Sequence, residues 1–167
     1  MVHPVRGEDW ARRLTVTNSK VLVLSLVSVD VYDTAGLFVL SFGEETLMNA
    51  SDITAANDGR VMVVDWIGCV HIFSEDGDHL DMFHLQGSYR FDTRIAFHQL
   101  SEHVVIAGHT EESVAVVEIF TKVGEFVRSI QIHEEQIFFI AGMTVTKDGR
   151  IALLLREISD TCKVLVI

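Results

Sequence analysis

Eight histidines, two cysteines and twenty-four acidic residues are the side chains here that could hold a metal, attack a substrate or move a proton. Their spacing assembles none of those chemistries. There is no Gly-rich phosphate loop, no His-Glu-x-x-His, no Cys-x-x-Cys pair and no Gly-x-Ser-x-Gly elbow. The Asp-Gly pairs lack the alternating oxygen ligands of a calcium loop. Cys69 and Cys162 stand in strand-like apolar settings without a companion at metal spacing, which reads as two reduced core thiols. A metal site needs three or more converging ligands. The expectation is therefore a chain with no catalytic residue, no metal and no cofactor.

Binding chemistry is better represented. Trp, Tyr and Arg are the types that most often anchor interfaces, and Trp66-Ile67, Tyr89-Arg90, His109 and Arg156 fall at breaks between apolar runs, as do Glu111-Glu112 and Glu134-Glu135-Gln136. Lys20, Arg60, His103 and Arg150 form a second set at matching places in successive units, where they could contact phosphate or RNA. The formal charge of -11 opposes a broad grip on nucleic acid, because that affinity comes from basic side chains releasing counterions.

The elements that must position these residues are strands. Val, Ile, Phe and Leu come in runs of four to seven, broken by Gly, Asp, Asn and Ser, and no stretch holds helical periodicity for long. The runs repeat. Gly36, Gly77 and Gly124 each follow a strand end (Val31-Tyr32-Asp33, Ile72-Phe73-Ser74, Ile119-Phe120-Thr121) at intervals of about 40 to 50 residues, the period of a four-stranded propeller blade. A second landmark agrees: Asn18-Ser19-Lys20, Asp58-Gly59-Arg60, Ser101-Glu102-His103 and Asp148-Gly149-Arg150. Each unit reads as four antiparallel strands, a to d from the axis outward. The b strands, such as Val61-Met62-Val63-Val64 and Ile151-Ala152-Leu153-Leu154, are continuously apolar, as expected when neighbouring blades cover both faces.

The prediction is an all-β propeller, partial or open. A lead segment, 1–12, precedes blades at about 13–43, 51–86, 94–132 and 141–167, the last stopping in strand c. Trp66-Ile67, Tyr89-Arg90, His109 and Arg156 then share the face made by the b–c and d–a connections. Lys20, Arg60, His103 and Arg150 share the opposite one. Among the histidines only His98 has a register that points to the central channel.

With Asp58-Gly59-Arg60, Val61-Met62-Val63-Val64-Asp65, Val70-His71-Ile72-Phe73 and Asp76-Gly77, the chain resembles the NHL repeat family of β-propellers, found as the C-terminal module of many tripartite-motif proteins. The family usually carries Asn and Arg shortly after the Asp closing strand b, whereas Asp65 is followed by Trp66-Ile67-Gly68-Cys69, so a WD-type propeller stays open. The resemblance implies a non-catalytic module that selects protein substrates or RNA for a larger protein, in some cases a ubiquitin ligase. A protein partner is expected first. RNA is an alternative disfavoured by charge, and a metal-dependent propeller lyase or lactonase is a second alternative. Self-association through the incomplete last blade is a further expectation.

The start, through Trp10, lacks the apolar core of a secretory signal, and no apolar run approaches a membrane span. A cytoplasmic protein without membrane contact is the expectation, and Asn49-Ala50-Ser51 is discounted as a glycosylation site on that basis.

Overall fold

The computed structural model describes residues 11–17, 19–89, 93–112, 114–133, 137–159 and 161–167. The fold is all-β. Among the described residues fifteen strands form four antiparallel sheets arranged as the blades of a propeller. The first blade is β1 (Arg13–Val16), β2 (Lys20–Leu24), β3 (Val29–Asp33) and β4 (Phe38–Phe42). The second is β5 (Ala50–Ala55), β6 (Val61–Asp65), β7 (Cys69–Phe73) and β8 (His79–His84). The third is β9 (Arg94–His98), β10 (His103–His109), β11 (Ala115–Thr121) and β12 (Phe126–Ile132). The fourth has three strands, β13 (Ile137–Val145), β14 (Ile151–Glu157) and β15 (Cys162–Val166). Strand β13 starts at Ile137, ahead of the expected 141, and takes up the extra length in register shifts on either side of Ile140.

Local chemistry sets these hairpins. The glycines of the outer turns, Gly36, Gly77 and Gly124, have φ of 79°, 93° and 84°, a region closed to most side chains. At the inner turns Gly59 and Gly149 do the same, and in the third blade Glu102 carries that conformation at φ 54°.

Three apolar clusters lie between successive blades and form the core. Leu22, Leu24 and Val31 meet Ile53, Val61 and Val63; Met62, Val64 and Ile72 meet Val104, Ile106 and Phe120; Val105, Ala107 and Val117 meet Ile151, Leu153 and Leu155. Strand b is thus buried from both sides in the two middle blades, β6 and β10, whereas in the first and fourth blades only one face is covered and Leu154 of β14 is 40% exposed. One joint recurs. Phe42 of β4 lies against Phe73, ring centroids 5.0 Å apart, and Phe83 of β8 lies against Phe120 at 4.9 Å. A Cβ on Gly77 would stand 2.7 Å from Phe42, and one on Gly124 2.6 Å from Phe83. The outer turns of the second and third blades therefore seat on an aromatic of the blade before, and there only glycine fits.

The inner strands meet in chain order, β1 with β5, β5 with β9, and β9 with β13. Among the described residues β1 and β13 make no contact, so the blades form an open arc. Polar groups stitch its inside. The Asp52 carboxylate accepts the N–H groups of Ile53 and Ile95, at 3.0 and 3.1 Å, with Arg13 3.7 Å away, and burial raises its pKa above the ordinary value. Arg94, buried in β9, donates to the Ala141 carbonyl at 3.2 Å. These bonds satisfy polar groups that would otherwise be costly to bury.

Candidate functional site

Strands β6 and β7 are joined by a tight turn whose geometry follows from Asp65. Its Oδ1 accepts the Ile67 and Cys69 N–H groups at 3.1 and 2.8 Å, and its Oδ2 lies 3.4 Å from His71 Nε2. The carboxylate is thereby fixed inside the turn while the next residues are pushed out: Trp66 is 37% exposed and Ile67 70%. Leu85 N–H reaches the Gly68 carbonyl at 2.9 Å, and the Thr93 hydroxyl reaches the Asp65 carbonyl at 3.3 Å. The β8–β9 connection thus runs beside the turn at both of its ends.

That connection continues to the third blade. Glu111 in the β10–β11 turn donates its N–H to the Ser88 carbonyl at 3.2 Å, and Tyr89 bridges to Thr110. Tyr89 itself is buried. It occupies the space left by Gly108, where a Cβ would come within 2.8 Å of its ring. Its hydroxyl has no hydrogen-bond partner of good geometry, and burial, with the nearby Glu118 charge second, pushes the phenol pKa well above its ordinary value. His109 is buried as well, with Nε2 unpartnered, and burial lowers its pKa so that it stays neutral.

Of the expected partner-binding residues, the structure brings Trp66 and Ile67 to the surface on the b–c face. It corrects Tyr89 and His109, which lie inside because the small Gly108 and the packing of the third blade admit them. Arg156 is half-buried and sits over the Phe139 ring at 5.5 Å. Arg90 and the Glu134-Glu135-Gln136 run lie outside the described residues. Other side chains on the same face went unread in sequence: Val27 at 37% exposure in the β2–β3 turn, Met48 at 68% before β5, and Ile158 at 74% in the β14–β15 turn. Their signal was an aliphatic residue at a turn that has no need of one.

The opposite set is not a free basic arc. Lys20 Nζ reaches the Glu75 carbonyl at 3.1 Å and Asp76 Oδ1 at 3.3 Å in the next blade. Arg60 is held by Asp58 at 2.6 Å and donates to the Lys122 carbonyl of the next blade at 3.3 Å. The pairing lowers the Asp58 pKa, chiefly through the Arg60 hydrogen bond. Arg150 pairs with Asp148 at 2.8 Å, and His103 is half-buried at the start of β10. His98 bonds the Ser101 hydroxyl at 2.7 Å and the Lys147 carbonyl at 3.2 Å.

Asp65, Cys69 and His71 form the one trio of metal-type donors among the described residues, all buried, with ligand atoms within 4.8 Å of one another. One Asp65 oxygen is already committed to two backbone donors. His71 pairs with the other, which together with Cys69 raises its pKa to about 9. The arrangement pairs His71 with Asp65 inside the turn, with the Cys69 thiol buried beside them. Cys162 departs from expectation: it is exposed, on β15.

No protein-family model matches the chain, and no curated protein matches it. Solved structures do. The structure of U3-55K aligns at a TM-score of 0.73 with 13% identity, covering 96% of this chain and 53% of that one. The Neurospora crassa Pan2 WD40 domain aligns at 0.69 with 14% identity, covering 93% and 47%. A chain in the mitotic checkpoint complex aligns at 0.67 with 9% identity, covering 94% and 49%. This chain spans about half the length of those it matches. The class defined is the β-propeller, with four blades among the described residues, and the likeness stops at the fold.

Proposed function

We propose that this chain is a non-catalytic protein-interaction module whose partner docks on the b–c and d–a face, around Trp66 and Ile67. The observation that carries the reading is the exposure of Ile67, Ile158, Met48 and Val27 on connections of that face, whereas Leu37, Leu100 and Val123 are exposed on a face whose polar side chains tie the blades together. Rigid blades holding variable apolar tips are the usual way a propeller presents an interface. The appearance of a similar chain in a structure titled as a complex supports it. With the NHL-like turn pattern, the finer form of the proposal is the substrate-recognition part of a larger tripartite-motif protein working in the cytoplasm. The RNA reading has less support, since Lys20 and Arg60 already serve neighbouring blades.

The test is affinity capture with three versions of the chain. Ile67→Asp with Ile158→Asp should lose the proteins that co-purify with the wild type, while Arg60→Glu with Arg150→Glu should keep them. Captured RNA that disappears with the second pair and not the first would replace this reading with the RNA one.

A further inference from the structure

On the same face, where the β8–β9 connection leaves its bond to the Gly68 carbonyl and passes toward the third blade, lies a cleft of about 320 Å³. Gly87 and Ser88 form one wall, Glu111 and Glu112 the other, and Val116 and Gln131 line it from β11 and β12. Two residues further along β11, on the face of Val116, Glu118 is buried at 3% exposure and accepts the Gln86 N–H at 3.0 Å. Its second carboxylate oxygen lies 4.0 Å from where a Cβ on Gly87 would be. The buried, unpartnered Tyr89 hydroxyl belongs to a ring 3.4 Å from that same point. Among the described residues the cleft therefore has two carboxylates at its rim, a third behind its wall, and no basic side chain in its lining.

We infer that this cleft receives a Lys or Arg side chain of the docked protein, with aliphatic residues of the same segment resting on Ile67 and Trp66. A cation with a long apolar stem suits a site whose mouth is acidic and whose lining includes Val114 and Val116. Negative potential across a rigid concave site also speeds encounter with a basic partner. The inference rests on the docking face proposed above and adds the chemistry of what docks there.

The experiment uses a phage-displayed library of random dodecapeptides selected on the full chain, with the enriched peptides then measured by fluorescence polarisation. Peptides that lose binding to Ile67→Asp should carry Lys or Arg next to aliphatic residues. Their dissociation constants should rise at least tenfold when the peptide base is changed to Gln, or when the chain carries Glu111→Gln and Glu112→Gln. Glu111→Asp with Glu112→Asp should restore most of the affinity, and circular dichroism should match the wild type throughout. Ile67-dependent peptides that lack a basic residue, or that ignore the Gln variants, would overturn the cleft assignment and leave the docking face standing. Peptides that bind without regard to Ile67 would overturn both.

Discussion

The two faces of the arc carry the same hairpins and use them differently. On the a–b and c–d face, polar side chains cross the blade boundary: Lys20 to Glu75 and Asp76, Arg60 to the Lys122 carbonyl, His98 to the Lys147 carbonyl. On the b–c and d–a face, the Asp65 carboxylate turns inward and aliphatic tips turn out. Matching positions in a repeat thus do not carry matching roles. The face that looks functional by charge holds the blades together, although it also exposes Leu37, Leu100 and Val123, and the partner is proposed to dock on the face that looks plain.

The strongest way to break this comparison is at the joints. Gly124→Val places a branched side chain at φ 84° and against Phe83. Conformational strain and overpacking together should lower the unfolding free energy by about 4 kcal/mol, read from urea midpoints. Gly142→Ala is the control: its Cβ would meet only Leu154, at 3.8 Å, and should change stability by about 0.5 kcal/mol or less.

Asp65→Ala comes next. It removes the acceptor of two turn amides and strands His71 in the core, a loss of about 3 kcal/mol. The pair also predicts a pH dependence. His71 titrates at about 9 in the folded chain, above its ordinary 6.5, because Asp65 first and Cys69 second favour the charged ring. A raised folded pKa adds stability that is complete below about 6.5 and fades as pH rises through about 9. Urea midpoints at pH 6 and pH 9.5 should therefore differ, and His71→Gln should remove that part of the difference.

Much of this architecture was legible in the chain. Asp-Gly turns at Gly59, Gly77 and Gly149 and the unbroken apolar b strands are local signals, and local signals survive in sequence. What escaped depended on distant packing. Tyr89 reads as an interface aromatic until Gly108, far along the chain, opens a slot for it. His71 looked like one more strand residue, yet a polar side chain inside Val70-His71-Ile72-Phe73 needs a buried partner, and Asp65 was the nearest one available. The repeat fixed where Lys20 and Arg60 sit, but not that the next blade's outer turn would face them.

Smaller effects sharpen the contrast between the faces. Arg60→Ala removes a link to the next blade and should cost about 1 kcal/mol. Arg150→Ala, which breaks only the exposed pair with Asp148, should leave the urea midpoint where it is.

Ile67→Asp should disturb stability as little as the Arg150 substitution does. Its neighbours bear the structure, since Asp65 and Cys69 are each 2% exposed while Ile67 is 70% exposed, and its backbone N–H still bonds the Asp65 carboxylate after substitution. An aspartate there buries no charge, so the urea midpoint should stay within about 0.5 kcal/mol of the wild type. Binding should behave in the opposite way, because the substitution removes the aliphatic contact on which the partner is proposed to rest. A large loss of stability in this variant would mean that the turn tip is packed rather than presented. The distinction between a face that holds the blades and a face that offers itself to a partner would then collapse.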